Sequence, residues 1–314
     1  MPADVVLLFP GQGSQAPGMA RDLADAFPEA RAALAAADEA LGTPLTPVMY
    51  NGPAELLTRT DNAQPALLAH GAAAWAVLRG ALGGRVRAAA GHSLGEFSAY
   101  HAAGALTLPA AVRLVRRRGE LMYASGEQRP GAMAALLGDP ARPIEEICEE
   151  ASLQGGTVVP ANYNCPGQLV ISGEVAGVER AMELAKAAGV KRAVRLQVSG
   201  AFHSPLMGVA LPGLKEALDG LGLTDPAFPV YANVTAAPVT SAADARALLA
   251  QQLTAPVRWS ALVHALAAEY PEAVYLEVGP GAVLAGLVKK IAPALRVLPC
   301  GTAAQVEAAL TATA

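Results

Sequence analysis

Ser93 stands between two glycines in Gly91-His92-Ser93-Leu94-Gly95, after the small apolar run Ala88-Ala89-Ala90 and before an alanine-bearing stretch free of helix breakers. Where a short strand turns sharply into a helix, bulkier residues two positions either side of the serine would collide, so the glycines leave its hydroxyl clear of the backbone. The following helix also turns its unpaired N–H groups and positive end towards that hydroxyl, where they stabilise an oxyanion. With 31 glycines in 314 residues the pentapeptide alone says little. Its place between Val86–Ala90, read as a buried strand, and Glu96–Leu106, read as a helix starting near Leu94, marks a nucleophile elbow.

A serine nucleophile needs a base. Of the histidines, His203 is the best placed, on the short loop Ser199-Gly200-Ala201-Phe202-His203-Ser204-Pro205, where sites concentrate. His92 adjoins Ser93 and should project away from it, His101 lies two turns down the next helix, and His70 and His264 fall in helical patterns where a packed or surface histidine is ordinary. Ser93 with His203 reads as acyl transfer from an ester or thioester, with the base contributing about 10²–10⁴-fold and each backbone oxyanion donor about 10²–10³-fold. A third group should orient the histidine, and no aspartate has a distinctive motif for that role.

Arg118 is the third residue of interest. In the helix predicted over Leu108–Met122, Leu108, Ala111, Val112, Val115, Gly119 and Met122 share one stripe. At roughly 100° per residue Arg118 falls about 60° from the centre of that stripe, while Arg113 and Arg117 fall opposite. A buried guanidinium left alone would cost several kcal/mol, so it requires a partner. Periodicity leaves two open: a structural carboxylate such as Glu96, which it favours, or the carboxylate of a substrate.

These side chains need elements to hold them. Val5–Phe9 reads as a strand buried on both faces, closed by Pro10-Gly11-Gln12-Gly13-Ser14-Gln15 before a helix from about Gly18. The loop resembles a nucleotide-binding turn but lacks the third glycine and the lysine such loops use. It instead suits a close backbone approach, with Gln12 placed to offer an N–H. Arg21–Leu41, Ala54–Leu57 and Pro65–Leu82 read as helices. After a Gly/Pro-bearing linker over Gly126–Gly131, the chain runs strand Ala132–Leu137, helix Ile144–Ser152, strands Val158–Asn162 and Gln168–Ser172, helix Val175–Ala188 and strand Ala193–Val198. That β-α-β-β-α-β order is a split βαβ, ferredoxin-like unit.

Beyond His203 a helix starts at about Leu206. Strands are predicted at Pro229–Asn233, Val274–Val278 and Leu295–Leu298, with helices Ala242–Leu253 and Ser260–Ala268 and a helix ending at Lys289-Lys290. Strands alternating with helices imply a mainly parallel sheet. The expected fold is α/β: a large subdomain from 1–127 and 199–314, with a ferredoxin-like small subdomain inserted at 128–198.

Hydrophobic residues make up 53% and charged residues 16%, which places the chain among globular proteins with a large core. A net charge of −4 argues against a nucleic-acid binder. The first apolar run is only Val5–Phe9 and follows Asp4, which predicts no signal peptide or membrane span and a cytoplasmic location. Cys148, Cys165 and Cys300 have no metal-ligand or CxxC spacing and read as buried thiols, so no metal site is expected.

Seven motifs in order, Phe9-Pro10-Gly11-Gln12-Gly13-Ser14-Gln15, Gln64-Pro65-Ala66, Gly91-His92-Ser93-Leu94-Gly95-Glu96, Arg118-Gly119, Gly200-Ala201-Phe202-His203-Ser204, Pro256-Val257-Arg258-Trp259 and Glu277-Val278-Gly279-Pro280-Gly281, resemble the malonyl-CoA:acyl carrier protein transacylases of fatty-acid synthesis. The acyltransferase domains of polyketide synthases share many of them. The resemblance implies an α/β-hydrolase-like large part with a ferredoxin-like insert. It makes Ser93 the nucleophile and His203 the general base, gives the oxyanion to the N–H groups of Gln12 and Leu94, and assigns Arg118 to the malonyl carboxylate as a bidentate partner. A backbone carbonyl, that of Gln252 or, one place earlier, Gln251, would orient the histidine. Phe202 resembles the malonyl-selective pattern and disfavours methylmalonyl-CoA. Ala201 replaces a common proline and Thr254-Ala255 a common asparagine; neither departure touches a catalytic atom that the resemblance implies.

The implied reaction has two stages. Malonyl-CoA acylates Ser93, then the phosphopantetheine thiol of acyl carrier protein takes the malonyl group, with no cofactor and with the enzyme a monomer. An acetyl group would leave Arg118 unpaired, a mismatch worth on the order of 10⁴-fold. Lys289-Lys290 and Lys191-Arg192 could attract CoA phosphates or an acidic carrier. The competing readings are service to a polyketide pathway, a serine esterase or thioesterase, and a catalytically silent carrier-binding protein.

Overall fold

In the computed structural model, which describes residues 2–314, the chain forms β1 (Val5–Phe9), α1 (Arg21–Ala26), α2 (Pro28–Leu41), α3 (Thr46–Asn51), α4 (Ala54–Thr58), α5 (Thr60–Leu82), β2 (Val86–Gly91), α6 (Leu94–Ala102) and α7 (Leu108–Gln128). There follow β3 (Gly131–Leu137), α8 (Ile144–Gly155), β4 (Val158–Cys165), β5 (Gln168–Glu174), α9 (Val175–Ala187) and β6 (Arg192–Arg195). After a 3₁₀ stretch at Pro205–Ala210 come α10 (Leu211–Asp219), β7 (Val230–Tyr231), β8 (Pro238–Val239), α11 (Ala242–Gln251), α12 (Trp259–Glu269), β9 (Val274–Glu277), α13 (Val283–Ile291), β10 (Arg296–Pro299) and α14 (Ala303–Thr313).

Two sheets organise these elements. The larger runs β10-β9-β1-β2-β7-β8, parallel except for the edge strand β8. Every residue of β1 is buried. Val5, Leu7 and Phe9 face the main core while Val6 and Leu8 face a second core with Trp259 and Val263, so the uninterrupted apolar run serves a strand covered on both faces. The smaller sheet runs β4-β5-β3-β6, wholly antiparallel, with α8 and α9 closing a separate core over it. Its element and strand order is that of the ferredoxin-like unit. β4 is tied to the segment before α12 where Tyr163 N donates to Val257 O and Val257 N to Ala161 O.

Several boundaries differ from those predicted. The helix expected over Arg21–Leu41 is two, because Pro28 forces Phe27 into extended backbone (φ −125°, ψ 120°), and the first begins at Arg21, after Gly18 at φ 95°. α5 starts at Thr60, not at Pro65, which lies inside it. The expected linker from Gly126 is still helix to Gln128: a Cβ at Gly126 would lie 1.8 Å from Ser199 O, so that glycine marks a close crossing, not a break. α6 ends at Ala102, β6 at Arg195, and the segment after Ser204 is 3₁₀ before α10 begins. α3 and β8 are too short to show a period, whereas α14, absent from the predicted elements, opens on Thr302-Ala303-Ala304-Gln305, whose spacing is that of a capping box.

By length and composition alone, α5 and the turn after it are apolar enough to cross a bilayer, against the expectation of no membrane span. Here most of α5 is buried in the main core against α2, α6 and α7. Cys148, Cys165 and Cys300 are buried free thiols.

Candidate active site

The elbow is built by close approach. A Cβ on Gly91 would fall 1.9 Å from Gly95 C, and one on Gly95 would fall 2.0 Å from Phe9 O, so glycine is needed at both positions for α6 to leave β2 so sharply beside β1. Ser93 is held at φ 51°, ψ −105°, a backbone conformation that costs on the order of 1–3 kcal/mol and persists only where surrounding contacts enforce it. Those contacts converge on Asn233: its Oδ1 accepts from Ser93 N (2.7 Å), its Nδ2 donates to Gly91 O (2.7 Å), and its own N donates to Glu96 Oε2 (3.0 Å).

His203 also has a left-handed φ of 56° and lies with Nε2 2.8 Å from Ser93 Oγ. Its Nδ1 lies 3.0 Å from Gln252 O and 3.2 Å from Ala255 O. Carbonyl oxygens only accept, so Nδ1 carries the hydrogen and Nε2 presents a lone pair to the Ser93 hydroxyl. Burial, and secondarily the charge of Arg118, push the imidazole down to about 3, which keeps it neutral and able to take a proton. Contrary to the expectation that the Thr254-Ala255 departure touches no catalytic atom, Ala255 reaches the histidine, but through its backbone carbonyl, which any residue there would supply.

Arg118 is 1% exposed. Nη1 donates to Gln64 Oε1 (2.7 Å), and Nη2 donates to Gln252 Oε1 (2.9 Å) and to Ser93 Oγ (3.3 Å). Its Cζ lies 5.2 Å from the centre of the Phe97 ring. Among the described residues no carboxylate comes within ion-pair distance of it; Glu96, the structural partner that periodicity favoured, bonds Gln252 instead. Burial lowers the guanidinium to about 10, with Glu96 opposing, so it remains charged at neutral pH. Gly119 makes the placement possible: a Cβ there would lie 2.7 Å from Asp61 Cα and Thr60 O, so α7 crosses the start of α5 closely enough for Arg118 to meet Gln64.

Ser93, His203 and Arg118 line a cleft of about 400 Å³ between the two sheets, with Gln12, Leu94 and Phe202 on its wall. Asn162, Asn164 and Gln168 line it from the small sheet. Leu94 is the first residue of α6, and among the described residues neither its N–H nor that of Gln12 has an acceptor in the protein. The Gln12 side chain is fixed by Thr60 Oγ1 (2.9 Å). The other histidines point elsewhere: His92 Nε2 lies 2.8 Å from Asn164 Oδ1, His70 Nε2 2.8 Å from Gly301 O, and His101 Nδ1 3.0 Å from Leu106 O, while His264 is exposed. Sequence reasoning assigned nothing to Asn233, to Gln64 or to the side chain of Gln252. Gln64 lay in a quoted motif; Asn233 gave no signal at all.

A serine whose base is steered by backbone carbonyls departs from the carboxylate-oriented triad of hydrolases. Residues 6–306 match the acyl transferase domain, and the chain belongs to that family. Within it, the chain is 44% identical over 306 residues to the malonyl CoA-acyl carrier protein transacylase of Bacillus subtilis, spanning 98% of this chain and 96% of that one. The Escherichia coli K12 protein of the same name is 43% identical over 288 residues, 92% of this chain and 93% of its own. The acyl-carrier-protein S-malonyltransferase structure from Bartonella henselae superposes with a TM-score of 0.94 at 41% identity, covering 99% of each chain. A malonyl-transacylase solved in complex with its type II PKS acyl-carrier protein superposes at 0.93 and 41% identity, covering 99% of this chain and 100% of that one.

Proposed function

We propose that this enzyme moves the malonyl group of malonyl-CoA to the phosphopantetheine thiol of acyl carrier protein, for fatty-acid chain elongation, through a malonyl-serine at Ser93. The observation that carries the reading is the buried, charged Arg118, unpaired with any carboxylate among the described residues, 3.3 Å from the Ser93 hydroxyl. A fork held open by two amide oxygens suits an incoming carboxylate, and a thioesterase has no need of one.

In the first stage His203 Nε2 takes the Ser93 proton while Oγ attacks the thioester carbonyl. The N–H groups of Gln12 and Leu94 receive the oxyanion, and collapse breaks the C–S bond as the proton passes from His203 to the departing CoA thiolate. In the second stage the carrier thiol gives its proton to His203 and attacks the malonyl ester, and Ser93 leaves with that proton. Gln252 O holds the imidazole for both, and Phe202 narrows the acyl end of the cleft against a branched methylmalonyl group. The same reading assigns 1–127 and 199–314 to the catalytic subdomain and 128–198 to the insert. It carries the expectation of a cofactor-independent monomer acting in the cytoplasm.

Intact mass after brief exposure to malonyl-CoA tests it. A malonyl adduct that requires Ser93 and moves to holo acyl carrier protein is expected; no adduct, or one lost to water without the carrier, sinks it. The relative solved with a type II PKS carrier favours polyketide supply as the second reading, which transfer rates to fatty-acid and polyketide carriers separate.

A further inference from the structure

Gln252 is fully buried, and three of its polar atoms meet the catalytic groups. Its backbone oxygen accepts from His203 Nδ1, its Oε1 accepts from Arg118 Nη2 (2.9 Å), and its Nε2 donates to Ser93 O (3.0 Å) and to Glu96 Oε2 (2.7 Å). A side-chain amide is nearly symmetric in shape, so its neighbours alone decide which end is oxygen. Turned over, its NH₂ would oppose the guanidinium, donor against donor, and its oxygen would face the Ser93 carbonyl and the Glu96 carboxylate; of these two acceptors the charged one, at 2.7 Å, is the closer and stronger hold on the NH₂.

We propose that Glu96 is a positioning residue for malonyl selection: its buried carboxylate holds the Gln252 amide with the oxygen on Arg118, at one remove from the guanidinium it serves. The separation matters. A direct Glu96–Arg118 pair would occupy the fork and shut out a substrate carboxylate, whereas the relay leaves the charge free and still places an anion nearby. The same Oε2 accepts from Asn233 N, whose side chain fixes the elbow, so one carboxylate aligns the acyl-binding arm with the nucleophile. Burial raises Glu96 to about 7, and the bonds from Asn233 and Gln252 and the charge of Arg118 oppose that rise.

The proposal rests on malonyl transfer through Ser93 and is tested by the ratio of kcat/KM for malonyl-CoA to that for acetyl-CoA, in the full chain. Glu96→Met removes the acceptor and should lower the ratio about tenfold or more, the worth of one hydrogen bond to a charged group. Glu96→Gln keeps a carbonyl acceptor and should stay within about threefold of the parent. Gln252→Met should match the loss in Glu96→Met, and the double variant should lose no more than either alone. The proposal is overturned by a parent-like ratio in Glu96→Met, by Glu96→Gln falling as far, or by losses that multiply. Should Glu96→Met not fold, an unchanged ratio in Gln252→Met overturns it. A parent enzyme that forms no malonyl-serine would instead remove the reading beneath it.

Discussion

Arg118 Nη2 and the Ser93 hydroxyl lie 3.3 Å apart, with the guanidinium otherwise held by the amide oxygens of Gln64 and Gln252. A cation this deeply buried without a carboxylate is costly to the resting protein, and in the reaction proposed above a malonyl group esterified on Ser93 would bring the missing anion to it.

Arg118→Ala should therefore lower malonyl transfer and ease acetyl transfer, collapsing a discrimination on the order of 10⁴-fold. Acylation rates with both CoA esters measure this. Equal loss of both would mean that the arginine serves packing.

His203→Ala should slow Ser93 malonylation by about 10²–10⁴-fold while leaving the fold intact. Because burial holds the imidazole down at about 3, the parent rate should not fall by a His203 titration as pH drops through 6.5. A pH–rate profile of adduct formation checks this, and an acid limb near 6.5 that vanishes in His203→Ala would contradict it.

His70 gives a stability prediction away from the chemistry. It is buried against Gly301 O and depressed to about 4, whereas the unfolded chain titrates it near 6.5, so the unfolded state gains the proton first and stability falls as pH drops from about 6.5 towards 4. His70→Gln should melt with a shallower loss over that window, removing a dependence of roughly 3 kcal/mol. Glu96, raised by burial, acts in the opposite direction, and its contribution is common to both proteins. Parallel melting curves across the window would refute the prediction.

Lys289 and Lys290 are exposed at the end of α13, the helix whose Val283, Leu284 and Leu287 line the cleft. Reversing both to Glu should raise the KM for acyl carrier protein and flatten its salt dependence, with KM for malonyl-CoA measured alongside to separate carrier from CoA phosphates. Unchanged carrier kinetics would show that these lysines are solvated bystanders.

What could be read along the chain was local. An uninterrupted apolar run marked β1, the two glycines marked the turn around Ser93, a 3.6-residue stripe turned Arg118 inward, and the β-α-β-β-α-β order marked the small sheet. Each is a property of neighbours within a few turns, where backbone sterics and periodicity act directly. Glycine was the ambiguous letter: Gly126 reads as a break, yet lies within α7, and it is glycine because Ser199 O passes where a side chain would be.

The partners across the cleft were decided elsewhere. Periodicity showed that Arg118 needed a partner but preferred Glu96, the carboxylate at hand, while the structure supplies Gln252 across 134 residues and Gln64 across 54. Asn233 reaches Ser93 across 140 residues. Such meetings depend on which strands the crossovers bring side by side and on how closely α7 can cross α5 over Gly119, and no local period encodes either. The sequence by itself determined which residues turn inward and where a hydroxyl is exposed; only tertiary packing decided that the inward charge of Arg118 would meet amide oxygens and no carboxylate among the described residues, because desolvation and pairing are properties of the closed core.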